Sequence, residues 1–137
     1  SDYKGIGLTH ANTHGSALGP ESAFHFIEDR SDHAATDLAR SNANLDLIFI
    51  DGNHRFDDVL VDFYLYAPLC VVGGLIVLDD MWLSSIQTVA SFIRTNRTDF
   101  DELSATAPNV SVFQRVGVDL RKWNHFRQFT VSHDTGE

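Results

Sequence analysis

Two short apolar runs, each followed directly by acidic residues, constrain the fold of this chain more than any other feature. The first, "LDLIFI" at residues 45–50, is continuous and partly β-branched, which is typical of a strand buried on both faces of a parallel sheet. Asp51 follows it directly. The second run, "LIVL" at residues 75–78, repeats the pattern and is followed directly by Asp79 and Asp80. The sequence therefore predicts two strands of one sheet, with acids at the same end of both.

The segment between these two runs and the segment after the second run both show helical periodicity. After Asp57, apolar residues recur at the three- and four-residue spacing of one helix face, and Pro68 marks the end of that helix. A second helix with the same spacing is predicted from about Ser85 to Arg97. Strand and helix thus alternate, which favours an open α/β sheet with right-handed connections. The two predicted apolar faces are Val59, Leu60, Phe63 and Tyr66, and then Ile86, Val89, Ala90 and Ile93.

Weaker patterns predict the remaining elements. "AFHFIE" at residues 23–28 alternates apolar and polar residues like a strand, and a short helix is predicted directly after it. Near the end of the chain, "NVSVFQRV" at 109–116 and "FRQFTVS" at 126–132 also alternate, so we expect them to pair antiparallel at a sheet edge. Gly73 and Gly74 are expected to form a turn with positive φ ahead of the second apolar run.

The topology places the residues behind the two predicted strands at one end of the sheet. In open α/β sheets, ligands bind beyond the carboxyl ends of the strands. Asp51, Asn53 and His54 after the first strand, and Asp79 and Asp80 after the second, are therefore candidate site residues. Carboxylates this close repel each other unless solvent, a proton or a cation lies between them, and such oxygen ligands suit Mg²⁺. The alternative is that Asp79 and Asp80 only cap the segment that follows them.

Composition excludes several classes of function. The chain has 137 residues, 43% of them hydrophobic, which is enough for one core, so a single domain over residues 1–137 is predicted. A formal net charge of −9 without a basic block argues against a nucleic-acid partner. The apolar runs are too short to span a membrane, and no signal-peptide pattern is seen. The single cysteine, Cys70, lies in an apolar run and has no second cysteine in the chain to pair with. We therefore expect a cytoplasmic protein.

The segment from Asp46 to Asp80 resembles a known family. It contains, in order and at suitable intervals, an apolar strand, "IDGNH", an acid within the next helix, a proline, a Gly-Gly pair and "LDD". This order is similar to the central part of the class I S-adenosylmethionine-dependent methyltransferases, specifically the O-methyltransferase-like branch of the family 24 type. The resemblance implies a Rossmann-like sheet that binds S-adenosylmethionine and a small-molecule substrate.

The resemblance also assigns roles to individual residues. It implies that Asp51, Asp79 and Asp80 hold a divalent cation such as Mg²⁺. It places His54 where a residue could touch cofactor or substrate or act as the base, although a histidine that caps the helix is an equally good interpretation. The residues implied to bind the cofactor are Asp29, Arg30, Ser31, Asp51 and Gly52. The first three of these would border the adenine, but as helix-capping residues they need no ligand.

The start of the chain departs from that family. Class I methyltransferases begin with a strand, a glycine-rich cofactor loop, a helix and a second strand, whereas the glycines of "KGIGLTHANTHG" follow no apolar strand. We therefore expect an N-terminally truncated methyltransferase sheet with a C-terminal antiparallel strand pair. The strand at 23–28 and "LIFI" would then lack their usual neighbours. They are expected either to pair directly or to be covered in a homodimer that exchanges elements across a two-fold axis.

The function expected from these features is methyl transfer from S-adenosylmethionine to an oxygen of a small molecule, assisted by a divalent cation. Two other classes of function remain open. One is a catalytically inactive methyltransferase-like module that serves in binding or assembly. The other is a metal-dependent hydrolase that uses the same acids and a bound water.

Overall fold

The computed structural model describes residues 24–131, and the chain groups into two units, Ser1–Arg30 and Ser31–Glu137. Strands and helices alternate in the second unit, which confirms the predicted α/β organisation. No helix in the described part of the chain is long and apolar enough to cross a membrane. The elements are α1 (Ser31–Arg40), β1 (Leu45–Ile50), α2 (Phe56–Tyr66), a 3₁₀ turn (Ala67–Leu69), β2 (Cys70–Leu78), α3 (Ser84–Asn96), β3 (Phe100–Leu103) and β4 (Ser111–Arg115).

The four strands form one sheet in the order β1-β2-β4-β3. β1 and β2 are parallel, with Ile48 opposite Ile76 and Ile50 opposite Leu78. β4 runs antiparallel to both of its neighbours, β2 and β3. Because β1 and β2 run in the same direction, their carboxyl ends meet at one end of the sheet, as the sequence predicted.

The hydrophobic core lies between one face of this sheet and helices α2 and α3. Phe63 of α2 and Val89 and Ile93 of α3 are fully buried, together with Phe113 of β4. This burial confirms the predicted apolar faces of the two helices. Burying a side chain of this size contributes about 1.5–3 kcal/mol, and a slip of one residue would turn each strand's apolar set away from the helices. The core therefore fixes the register that brings the two strand ends together.

β1 is not buried on both faces, contrary to the prediction. Ile48 and Ile50 face the core and are each 7% exposed, but Leu47 and Phe49 on the opposite face are 61% and 55% exposed. An apolar run does not reveal how many layers pack on a strand. Here the described helices α2 and α3 cover only the face that carries Ile48 and Ile50.

Residues 24–28 form no strand, so the strand predicted at 23–28 is wrong over this part; residue 23 lies outside the described residues. Phe24, Phe26 and Ile27 are each about half exposed. An alternating pattern becomes a strand only where another strand pairs with its backbone groups. None of the four described strands includes this segment.

The direct pairing predicted for the two strands needs a strand at 24–28, and none forms there; β1 is an edge strand of the described sheet. Apolar edges recruit further strands, so the other predicted arrangement, a homodimer, stays a prediction. We expect light scattering to give twice the chain mass of 15.3 kDa. Leu47→Lys should shift the protein toward the monomer, because charge on an edge strand opposes pairing. A monomer at high concentration without that substitution would contradict the homodimer.

The segment 126–131 forms no strand, so the strand predicted at 126–132 is wrong over this part; residue 132 lies outside the described residues. β4 confirms the other member of the predicted pair, but it pairs with β3. The buried Asn96 side chain accepts a hydrogen bond from the backbone N–H of Arg127 at 2.7 Å and donates to its carbonyl oxygen at 2.9 Å. Asn96 thus makes the hydrogen bonds that the backbone of Arg127 would otherwise make with a neighbouring strand. Phe129 packs near Phe92 with ring centres 6.2 Å apart, so the apolar alternation serves packing on α3.

Gly73 and Gly74 lie inside β2, and not in a turn ahead of it as predicted. Gly73 has a φ of 89°, whereas Gly74 does not adopt positive φ. The pairing register shifts at this point, between Leu45 and Leu47 on β1. The extra residues of β2 therefore form a bulge, which bends the strand and increases its twist.

Candidate active site at the end of the parallel strands

The loops that follow β1 and β2 are neighbours. The backbone N–H of Asp79 donates to the carbonyl oxygen of Ile50 at 3.2 Å, which continues the pairing just beyond β2. The loop after β1 is also tied to the start of α3, because Ser85 Oγ donates to the backbone oxygen of His54 at 2.6 Å. These bonds hold the side chains of residues 51–54 and 79–82 at one end of the sheet.

Asp51, His54 and Asp80 form a compact group in these loops. One ligand atom from each lies within 4.8 Å of the others, which is close enough for a single cation to contact all three. His54 Nε2 lies 2.8 Å from Asp80 Oδ2. The side chain of His54 is 51% exposed and that of Asp80 24%. The group is therefore open to solvent and to a ligand.

Asp80 is held in an uncommon backbone conformation with a φ of 57°. The neighbouring Asp79 supports it, since Asp79 Oδ1 accepts a hydrogen bond from the Asp80 backbone N–H at 2.8 Å. The Asp80 carboxylate accepts further bonds from Trp82 Nε1 at 2.9 Å and from Asn109 Nδ2 at 3.4 Å. These bonds, chiefly the one from Trp82, lower the pKa of the Asp80 carboxyl. Its charge is therefore present at neutral pH.

Neither His54 nor Asp80 caps a helix through its side chain. The N-cap of α2 is Arg55 and that of α3 is Leu83, and neither helix start has a side-chain capping bond. Asp79 accepts the N–H bond of the next residue, Asp80, but it does not cap α3 either. The side chains of His54 and Asp80 are instead directed at each other.

A cleft of about 280 Å³ lies beside this group, between the end of β1 and helices α1 and α2. Ser31 Oγ donates to Asp62 Oδ1 at 2.6 Å, and the Tyr66 hydroxyl donates to the backbone oxygen of Ser31 at 2.8 Å. Burial raises the pKa of the Asp62 carboxyl, and the bond from Ser31 opposes that rise. The polar wall of the cleft is therefore already ordered by its own hydrogen bonds. Its lining includes Ser31, Phe49, Asp51, Gly52, Asp62 and Tyr66.

Comparison with known proteins shows which family this arrangement belongs to. Residues 7–81, more than half of the 137-residue chain, match the model of a methyltransferase domain family. The chain belongs to this methyltransferase domain family. The match confirms the family that the sequence resembles. No curated protein is similar enough in sequence to match the chain.

Solved methyltransferase structures share the fold of this domain. A putative caffeoyl-CoA O-methyltransferase from Staphylococcus aureus has a TM-score of 0.59 at 15% identity, covering 80% of this chain and 59% of that one. MycE methyltransferase from the mycinamycin biosynthetic pathway, in complex with Mg and SAH, has a TM-score of 0.51 at 16% identity, covering 74% and 35%. The M1.HpyAVI complex with SAM has a TM-score of 0.51 at 14% identity, covering 74% and 58%.

At these identities the likeness shows the fold, which is the Rossmann-like class I methyltransferase sheet. The methyltransferase domain described here spans 59% of the length of the S. aureus chain. The predicted Rossmann-like α/β fold class is thereby confirmed. An antiparallel pair is also present, but β3 and β4 form it, and not the predicted pair of segments 109–116 and 126–132.

The methyltransferase domain brings most of the predicted metal and catalytic residues together. Asp51, His54 and Asp80 form the group, and Asp79 adjoins it in the chain with Oδ1 on the Asp80 backbone. The predicted ligand set of Asp51, Asp79 and Asp80 did not include His54, which was assigned to catalysis. These roles stay predictions.

The predicted cofactor-binding residues fall in two places. Ser31, Asp51 and Gly52 line the cleft. Asp29 and Arg30 are exposed and belong to the first unit, where the backbone N–H of Arg30 donates to Asp29 Oδ1 at 2.7 Å. Their binding of a cofactor stays a prediction too.

Sequence reasoning missed Asp62, Tyr66 and Asn109 as site residues. Asp62 and Tyr66 lie four positions apart, so they share one face of α2. The available signal was Asp62 itself, because it is an acid on the helix face that carries Tyr66, which was predicted to lie in the core. Asn109 carries no comparable signal, because only the fold brings it to Asp80, 29 residues away in the chain.

Proposed function

We propose that this methyltransferase domain transfers a methyl group from S-adenosylmethionine to a hydroxyl oxygen of a small molecule, assisted by a divalent cation. The observation that carries the proposal is the group of Asp51, His54 and Asp80, whose ligand atoms lie within 4.8 Å of one another beside a cleft that shares Asp51. Such a group would provide ligands for a cation, and a base, next to a cleft that would hold the cofactor. The related fold of MycE was solved with Mg and SAH, which supports this choice of ligands.

Asp51 and Asp80 would hold the cation. Carboxylate oxygens are the ligands that Mg²⁺ prefers, and the lowered pKa of Asp80 keeps its carboxylate charged. Asp79 adds negative charge at the same loop, although its Oδ1 already accepts the Asp80 N–H. When bound, the cation supplies positive charge that lowers the pKa of an acceptor hydroxyl.

His54 would take the hydroxyl proton. Its Nε2 lies 2.8 Å from Asp80 Oδ2, so in the neutral ring the proton is on Nε2 and is donated to that carboxylate. Nδ1 then keeps its lone pair and can accept the proton of a hydroxyl. The Asp80 carboxylate stabilises the imidazolium that results. Asp80 would therefore both stabilise the protonated His54 and bind the cation.

The cleft would bind part of the cofactor. S-adenosylmethionine supplies the methyl group on a positively charged sulfur, and Ser31, Asp51 and Gly52 offer polar contacts in the cleft. Asp62 fixes Ser31 through a 2.6 Å hydrogen bond. The cleft volume of about 280 Å³ is just below the usual range of about 300–1,000 Å³ for ligand pockets. We therefore expect these residues alone to bind the cofactor weakly.

Calorimetry with S-adenosylmethionine, with and without Mg²⁺, tests the proposal. We expect Mg²⁺ to bind through Asp51 and Asp80, and the cofactor to give its own, weaker isotherm. Binding of the cofactor supports methyl transfer. Binding of the cation without the cofactor would favour a metal-dependent hydrolase. If neither binds, the inactive binding or assembly module is the remaining function.

A further inference from the structure

Asn109, in the connection from β3 to β4, contacts the loop after β2 at three points. Its backbone oxygen accepts a hydrogen bond from the N–H of Met81 at 3.0 Å, and its Oδ1 accepts one from the N–H of Trp82 at 2.9 Å. Its Nδ2 donates to Asp80 Oδ1 at 3.4 Å. One residue therefore holds three successive residues of the loop that carries Asp80.

The backbone conformation of Asn109 suits this position. Its φ of 68° lies in the left-handed region, which asparagine adopts at less cost than most residues. Asp80 also has a positive φ, at 57°. A loop with such a residue persists only where surrounding contacts enforce it. The bonds from Asn109 are contacts of this kind.

The two carboxylate oxygens of Asp80 have different partners. Oδ1 accepts the bonds from Trp82 Nε1 and Asn109 Nδ2, whereas Oδ2 lies 2.8 Å from His54 Nε2. Because Oδ1 is held from two directions, rotation of the carboxylate is restricted. Oδ2 is thereby kept facing His54.

We infer that Asn109 is a positioning residue for the candidate site, fixing the Asp80 carboxylate and the Trp82 indole through the loop that joins them. The inference rests on the proposed function only where it concerns cation binding by Asp80. Hydrogen-bond partners of metal ligands typically contribute about 10-fold to 100-fold in metal affinity. Loss of the Asn109 side chain is expected to weaken cation binding within that range.

The experiment uses Trp82 as a fluorescent reporter in a Trp123→Phe background. The chain has two tryptophans, and Trp123 is 96% exposed, so this replacement leaves Trp82 as the single source of tryptophan emission. Asn109→Gly removes both side-chain bonds, while glycine accepts the positive φ. Asn42→Gly is the matched control, because Asn42 has a φ of 55° but lies in the turn after α1.

We expect Asn109→Gly to bind Mg²⁺ about 10-fold or more weakly than the background protein. We also expect acrylamide to quench Trp82 more strongly in this variant, with or without the cation. Asn42→Gly should match the background in both measurements. Unchanged Mg²⁺ affinity or unchanged quenching in Asn109→Gly would overturn the inference.

Two further outcomes are separated by the same measurements. If the background protein binds no Mg²⁺, the cation of the proposed function is wrong, and quenching of the cation-free proteins alone decides the inference. If Asn109→Gly does not fold, Asn109→Asp replaces it. That variant keeps the acceptor for the Trp82 N–H but replaces the donor to Asp80 with a second carboxylate that repels it, so increased quenching supports the inference and unchanged quenching overturns it.

Discussion

Replacing Asp80 with asparagine is expected to weaken Mg²⁺ binding by at least about 100-fold, the upper end of what hydrogen-bond partners of a ligand contribute. The substitution removes the charged oxygen that the cation needs, yet asparagine keeps an oxygen for the bond from Trp82 Nε1. The cation-free protein should lose only the part of its stability that depends on the Asp80 charge, because the bond from Trp82 Nε1 is kept. A Mg²⁺ titration and a thermal melt without cation measure the two effects.

Asp101→Asn is the matched control, because Asp101 is an exposed acid on β3 outside the candidate site. Its replacement should leave Mg²⁺ affinity unchanged. The pH dependence of stability gives a second check. The pKa of Asp80 lies below its ordinary 3.8 in the folded protein, so its stabilising effect is present above 3.8 and is lost as pH falls through the folded pKa. Asp80→Asn should therefore flatten the acid side of the stability curve. A large loss of cation-free stability would instead identify Asp80 as a structural residue.

Gly74→Val is expected to prevent or severely impair folding. A Cβ at this position would lie 2.9 Å from Cys70 Sγ, 2.9 Å from the Val71 carbonyl oxygen and 3.1 Å from the Asp46 carbonyl oxygen. Two of these atoms belong to the backbones of paired strands. Overpacking alone costs about 1–3 kcal/mol, and here the backbone must also shift. We expect the free energy of unfolding to fall by about 3 kcal/mol or more, as measured by urea denaturation.

Two other glycines serve as controls for Gly74. A Cβ at Gly117 would meet nothing within 4 Å, so Gly117→Ala should change the free energy of unfolding by no more than about 0.5 kcal/mol. Gly73 also has open space but a φ of 89°, and Gly73→Ala should cost about 1–2 kcal/mol for the left-handed conformation. An unchanged melting temperature of Gly74→Val would contradict the close approach of the two strands.

The sequence predicts the centre of this fold well, because strong local patterns coincide there with tertiary packing. The run at 45–50 and the helical spacing after Asp57 each indicate one structure, and the acids behind the two parallel strands follow from that topology. β3 was missed because its four residues, "FDEL", carry almost no pattern. The strands predicted at 23–28 and 126–132 failed for another reason. Strand formation depends on a partner, and sequence alternation does not identify one.

The candidate site was predictable in position but only partly in composition. Residues behind parallel strands share one end of the sheet, so Asp51, His54 and Asp80 could be named in advance. Which side chains converge depends on the loop backbone, above all on the positive φ of Asp80, and no local pattern indicates that conformation. The contribution of Asn109 is a long-range contact and was invisible for the same reason.

Helix α3 is fastened at both ends by single side chains. At its start Ser85 holds the backbone of His54, and at its end Asn96 holds the backbone of Arg127. Its 13 residues span about 20 Å at 1.5 Å per residue. We therefore expect the helix and the two segments tied to it to open together, so that their backbone N–H groups exchange hydrogen at similar rates. A change that loosens the chain at Arg127 is then expected to raise hydrogen exchange near His54, at the other end of the helix.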